Sequence, residues 1–419
     1  MSQNSQGALA PFAVRSFRFQ WPADLAASWA FEIEMLILGW YVLVQSQSVL
    51  LLVVYGALQF AGALVSPYVG VLGDRLGYKR LYVLMRGAFV LLSLLLLTLA
   101  WLDLLNPVLV VCLSVFSGIL KPSDIMIRYA LIAQTLSARQ LVGALGISRM
   151  TVDSARFAGA VAGVGIFTMF GLVATYIMIV LMYGLSLALS TGVAGREDLG
   201  SERQRTSAIE DLKAGIHYVW SNRALRGCFF LAFWVNLFAY PLALGLLPYV
   251  VHNVFQADET LLGFLGASYA FGSLLGSLLI SSNRIAVGAG RLMILAAAMW
   301  FGAGLVFALN NVVLIGELLL ALIGVSQSLC VTPLAAVMLR ETEPRYRGRV
   351  MGMRILAVLG LPLGLLASGP LIEVLGFALT WLIYSTLGLL GALSMIIIWQ
   401  TSLWSKRSLA NQPTSEHRG

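Results

Sequence analysis

Residues 70–80 read Gly-Val-Leu-Gly-Asp-Arg-Leu-Gly-Tyr-Lys-Arg, a charged, glycine-punctuated link between two long apolar runs. So short a link makes the two helices it joins antiparallel neighbours, with their ends on one side of a membrane. Gly73 and Gly77 admit φ > 0 or close backbone approach, and Asp74 stands among three bases, Arg75, Lys79 and Arg80. Negative charge is favoured at helix N-termini rather than C-termini. Asp74, at the end of its own helix, is therefore placed to serve a different one.

Of the 419 residues, 59% are hydrophobic and only 11% charged, whereas soluble domains carry about 25% charged residues. This is the composition of a polytopic membrane protein. Cys112, Cys228 and Cys330 each lie singly in apolar runs, and His217, His252 and His417 lack ligand spacing. No metal site, disulfide framework, phosphate-binding loop or catalytic triad is indicated, so no metal, cofactor or catalytic residue is expected. Residues 1–20 are polar, with Arg15 and Arg18, and the apolar run that follows is about twice the length of a signal-peptide core. It is expected to remain as the first span.

A span needs about 20 predominantly apolar residues, and twelve such stretches occur: 22–44, 50–72, 81–102, 107–127, 143–170, 172–193, 225–251, 260–280, 292–309, 312–333, 349–373 and 378–399. The odd loops (45–49, 103–106, around 171, 252–259, 310–311 and 374–377) contain no lysine or arginine. The 27 bases fall in the termini, the even loops and the spans, clustering at 75–80, 196–226, 340–354 and 406–407. The positive-inside rule then places both termini of this multi-pass protein in the cytoplasm. It also accounts for the net charge of +8, leaving no reason to invoke nucleic acid as a partner.

The longest polar stretch follows the sixth span and divides the chain into a six-helix bundle (1–195), a cytoplasmic linker (196–224), a second six-helix bundle (225–400) and a cytoplasmic tail (401–419). Within the linker, Ile209, Leu212, Ile216 and Val219 form a helical stripe opposite Glu210, Asp211 and Lys213. That pattern predicts an amphipathic helix over 206–220 lying on the bilayer surface. The bundles read as one unit repeated: at an offset of 206, Gly70 falls on Gly276, Arg139 on Arg345 and Gly146 on Gly352. The counterpart of the 70–80 link keeps Gly276, Arg284 and Arg291 but has no acid.

The 70–80 link resembles the signature loop of the major facilitator superfamily, G-x-L-x-D-R-x-G-R-[KR]-[KR]. Gly70, Leu72, Asp74, Arg75, Gly77, Lys79 and Arg80 match, and Tyr78 replaces the first closing base. Residues 211–220 (Asp-Leu-Lys-Ala-Gly-Ile-His-Tyr-Val-Trp), 347–352 (Arg-Gly-Arg-Val-Met-Gly), and Pro122 followed by 128–132 (Arg-Tyr-Ala-Leu-Ile) are similar to the branch containing the enterobactin exporter and other transmembrane secretion effectors. Of the antiporter signature in span five, Gly159 and Gly163 are present, but the proline is missing and Ala160 stands near its place. The resemblance implies an all-α fold of twelve transmembrane helices in two six-helix pseudo-repeats, and a monomer working by alternating access. It further implies export of small amphipathic molecules in exchange for protons, with Asp74 docking at the N-terminus of span eleven to latch the cytoplasmic side. An importer or lipid transporter is the nearest competitor. A membrane enzyme would show a clustered His, Asp or Glu motif at one membrane face, and a receptor would more often append a sensing domain.

An ionised side chain at a bilayer centre costs about 2.5–3.5 kcal/mol on the insertion scale, so each demands a reason. Glu32 and Glu34 lie near the middle of span one, about 200° apart on a helix. Asp24, Ser28 and Glu32 form a polar stripe, which turns Glu32 toward a central cavity and Glu34 toward a neighbouring helix. The alternative for each is a neutral, hydrogen-bonded carboxyl with a structural role. Glu317, in span ten with Gln327 deeper, is a third candidate for proton coupling. Arg86, Lys121, Arg149, Arg156 and Arg354 are the bases inside spans. Lys121 with Asp124 and Arg156 with Asp153 have the i, i+3 spacing of ion pairs. These groups read as a structural and gating layer, with Arg86 or Arg156 contacting an anionic substrate as the alternative. Asn236, Pro241 and Pro248 put polarity and broken backbone into span seven.

The topology is open to a direct test. In a cysteine-free background, single cysteines replacing Gln47 and Asp258 should react with a membrane-impermeant maleimide added outside intact cells. One replacing Ser201 should not, and its labelling would reverse the orientation.

Overall fold

The computed structural model describes residues 10–63, 65–194, 216–281, 287–343, 346, 350 and 356–399, and every regular element among them is helical. Nine stretches of these residues are long and apolar enough to cross a bilayer. Two are too long to cross once. The 39 residues of Gly360–Ile398 would extend about 58 Å as a straight helix, twice the hydrocarbon thickness. This stretch turns back at Gly376 (φ 78°, ψ 167°), and Gly146–Ser190 turns back at Gly171 (φ 77°, ψ −174°). Only glycine adopts that backbone conformation without strain. Span two is broken into Val49–Leu58, Ala61–Ala63 and Ser66–Leu76. The chain thus crosses twelve times, in two sets of six.

The repeat inferred from sequence recurs in the backbone. Gly171 and Gly376 close the fifth and eleventh spans with nearly the same dihedrals, and Gln47 and Gln256 follow the first and seventh in the left-handed conformation (φ 52° and 53°). Both separations lie close to the 206-residue offset of the sequence.

The 70–80 link is tighter than its composition implies. The helix Ser66–Leu76 runs to Gly77, and Tyr78–Trp101 starts at the next residue. Gly77 (φ 85°) makes the turn alone. Gly73 leaves room for the Tyr78 ring, which would lie 2.6 Å from a Cβ at that position. Arg75 and Arg80 are exposed and Lys79 half-buried. The Asp74 side chain and residues 351–355 at the start of span eleven, the two sides of the expected latch, lie outside what is described.

The halves meet toward the odd-loop end. Leu365 of span eleven is fully buried, its methyls seated in the notch that Gly56 of span two and Gly245 of span seven leave open. The Trp40 and His252 rings meet edge to face at 5.7 Å between spans one and seven. Of the helix expected over 206–220, only the part from residue 216 is described. There Ile216 is exposed, but Val219 is fully buried in the core of the second half, so the stripe ends against protein rather than lipid. Residues 195–215 and 400–419 lie outside the described set.

Candidate substrate cavity

Spans one, two, five, seven and eight line a small, partly open cavity of about 70 Å³, where a few polar groups converge on an apolar wall as in small-molecule sites. Met35, Leu36, Leu52, Leu244, Leu247 and Pro248 make most of the wall apolar, and Glu32, Arg156, Tyr55 and Tyr269 supply the polar groups. The wall departs from regular helix twice. Span five widens to a π-turn over Gly159–Gly163 and span seven over Leu242–Leu246. Such bulges concentrate at functional sites. In span seven, Pro241 and Pro248 each remove a backbone donor, so the α ladder cannot run through unbroken.

Glu32 and Arg156 face each other across this cavity. Arg156 Nε lies 3.6 Å from Glu32 Oε1, with the side chains 19% and 15% exposed. Span five can come this near because a Cβ at Gly159 would stand 3.1 Å from that of Glu32. Behind the guanidinium, Asp153, only 1% exposed, lies 4.0 Å from Arg156 Nη1, the i, i+3 arrangement expected from sequence. At 3.6 Å the Glu32–Arg156 contact is an ion pair without a hydrogen bond. Arg156 Nε is buried and has no hydrogen-bond partner among the described residues.

The other charges of the first half are arranged quite differently. Arg86, fully buried, donates to Asp24 at 2.7 Å and lies 3.2 Å from Asp124, while Arg128 Nε is 3.2 Å from Asp24 and 2.7 Å from Asp124. Tyr82 donates to Asp24 at 2.7 Å, and Arg128 to the Ser28 hydroxyl at 2.8 Å. Two acids and two bases thus cancel inside spans one, three and four. The expected Lys121–Asp124 pair does not form. Two guanidiniums, with five donors each, occupy Asp124, and Lys121 instead places its ammonium 2.7 Å from the centre of the Phe31 ring. Arg128 was missed as a span residue because apolar character ends near residue 127, although the helix Pro107–Thr135 runs two turns further.

Glu34 lies apart from the cavity, between spans one and six. It is 6% exposed and accepts from Tyr183 at 3.2 Å and Tyr176 at 3.4 Å, with no ion pair among the described residues. Glu317 is half-buried beside Leu314 and Leu318, both 64% exposed, does not line this cavity, and forms no ion pair among the described residues. Asn236 donates to Ala232 within its own helix at 2.8 Å, its Cβ set against Gly360 of span eleven. Among the described residues of the second half, polar burial is handled without charge: Ser273 donates to Gln327, and Gln327 to Tyr240, each at 3.0 Å.

The family model for transmembrane secretion effectors matches residues 6–417. The chain belongs to that family. It is therefore a major facilitator transporter rather than an enzyme, and the all-α twelve-span fold is that of solved transporters. The nucleoside transporter NupG aligns with a TM-score of 0.69 at 12% identity, covering 91% of this chain and 98% of that one. The D-xylose-proton symporter aligns at 0.71 and 12%, covering 91% and 97%. The human organic anion transporter MFSD10 (TETRAN) aligns at 0.63 and 15%, covering 90% and 98%. At these identities the likeness is one of fold. No curated sequence is a significant match to this secretion effector.

The two kinds of acid make opposite predictions for stability. Arg86→Met strips a buried cation from two carboxylates and should lower the stability of the purified protein by about 3–5 kcal/mol. Glu34→Gln keeps a polar partner for both tyrosine hydroxyls and should change it by about 1 kcal/mol or less. Thermal unfolding in detergent distinguishes them, and equal shifts would refute the distinction.

Proposed function

We propose that this secretion effector is a proton-coupled exporter of small amphipathic, drug- or siderophore-like molecules, seated in the inner membrane with both termini cytoplasmic. The observation that carries the reading is the Glu32–Arg156 pair, loosely held and facing a cavity that is otherwise apolar. An apolar body is held by the wall of the cavity, and a polar end by the pair. A carboxylate that binds a ligand group in one access state and a proton in the other exchanges one for the other as the halves rock about the site. Export, rather than import or lipid movement, rests on the family. The domain limits proposed with this reading are 1–195, 196–224, 225–400 and 401–419, the linker ending where Asn222 caps the helix Arg223–Phe238. Asp74 is proposed to latch the side opposite the Leu365 contact.

Glu32 is the coupling acid in this account. Among Gln variants at Glu32, Glu317 and Glu34, only Glu32→Gln should abolish pH-gradient-driven accumulation of a fluorescent amphipathic dye in inverted vesicles while leaving downhill flux. Glu317→Gln and Glu34→Gln should accumulate the dye as wild type does. Wild-type accumulation by Glu32→Gln would exclude proton coupling through this residue.

A further inference from the structure

Resting on the exporter reading, the pairing of Glu32 and Arg156 in the cavity carries a statement about the ligand: we propose that the substrate of this transporter is an amphipath whose polar end is zwitterionic, with a cationic and an anionic group side by side as in an α-amino acid.

The charges of the first half differ in what they have left to give. In the buried quartet, each acid has a base within 2.7 Å, and Arg86 and Arg128 are each shared between both acids. The cavity pair is separated by 3.6 Å, its side chains 19% and 15% exposed. Charge-assisted hydrogen bonds form at about 2.7–2.9 Å, so Glu32 and Arg156 hold each other without one. Asp153 at 4.0 Å stays behind Arg156 as a counter-charge when Glu32 turns to a ligand.

The sign of the ligand follows from the separation. A head with one positive charge seated on Glu32 stands within a few ångströms of the Arg156 guanidinium, and the Coulomb attraction and repulsion at such distances are of similar size. A head with one negative charge on Arg156 meets Glu32 in the same way. A dipolar head laid antiparallel to the pair gains both attractions and meets neither repulsion. The rest of the cavity sets the other end of the molecule: Leu52, Leu244, Leu247 and Pro248 offer no hydrogen-bond partner and accept an apolar or aromatic body.

Four dansyl probes with a common five-carbon arm isolate the head: Nε-dansyl-lysine (zwitterion), dansylcadaverine (cation), N-dansyl-6-aminohexanoate (anion) and dansyl pentylamide (neutral). Their binding to the purified full-length protein in detergent is read from dansyl fluorescence. Wild type should bind dansyl-lysine roughly tenfold or more tightly than the other three, the size expected for one additional charge-assisted contact. Glu32→Gln should move the preference to the anion and Arg156→Gln to the cation, opposite shifts that a merely structural role for either residue would not produce. A wild-type protein that prefers a singly charged or neutral head, that ranks all four alike, or that binds none of them overturns the proposal, and this ranking decides even if a variant fails to fold. Transport in proteoliposomes separates the two readings. Dansyl-lysine bound in this ranking but not moved by a pH gradient contradicts the exporter reading alone. A pH-driven flux of the cationic probe that exceeds that of the zwitterion, with the binding order reversed, contradicts this inference alone.

Discussion

Inside a bilayer every charge has to be answered by the protein, because no water is present to do so. This one constraint orders the first half of the secretion effector. Asp24, Arg86, Asp124 and Arg128 pair with one another at 2.7–3.2 Å within spans one, three and four, and Tyr82 and Ser28 add hydrogen bonds to the group. Breaking such a group by removing one member leaves an uncompensated buried charge, which is why buried ion pairs hold helices in one register even where they add little net stability. Glu34 meets the same constraint with two tyrosine hydroxyls in place of a base, and the second half meets it with Ser273, Gln327 and Tyr240, all uncharged.

Against that background the Glu32–Arg156 pair stands out by its slack. It sits where two π-turns, at Gly159–Gly163 and Leu242–Leu246, widen the helices beside the cavity, and where both halves contribute to the wall. Two of the spans that line it, two and seven, also hold Leu365 of span eleven in a glycine notch, one of the contacts that join the halves. A ligand that rearranges the pair therefore acts on spans one and five, and a movement of spans seven and eleven alters the shape of the cavity. In the proposed exporter, binding and rocking share helices, as alternating access requires.

Much of this was legible in the chain itself. Hydropathy and the absence of bases from the odd loops mark out twelve crossings, and the 70–80 link carries the family. Helical periodicity separates Glu32 from Glu34, and the two lie on different faces of span one, Glu32 at the cavity and Glu34 against span six, while Asp24 and Ser28 of the same stripe meet Arg86 and Arg128. The partners across helices were not legible. Lys121 stands at pairing distance from Asp124 along its own helix, but the guanidiniums of Arg86 and Arg128 arrive from positions that only packing reveals. Arg128 itself was hidden because a helix need not stop where its apolar run stops. Glu317 shows the converse: an acid in an apolar stretch commands attention, yet half-exposed near the odd-loop end of span ten it is not a cavity group. Around Gly77 the apolar runs leave eight residues, 73–80, outside the spans, since composition marks charge and glycine but not how few residues a positive φ needs.

The claim on which the account depends is that Glu32 and Arg156 serve the ligand while Asp24, Arg86, Asp124 and Arg128 serve the fold. It is tested most directly by measuring unfolding temperature and substrate counterflow on the same preparation of the doubly neutralised Glu32→Gln/Arg156→Gln protein. Removing both charges together leaves neither of the two facing the other unpaired, though Asp153 loses Arg156 at 4.0 Å, so a smaller loss of stability than in Arg86→Met is expected, with no counterflow. A collapse in unfolding temperature, or counterflow at the wild-type rate, would contradict it.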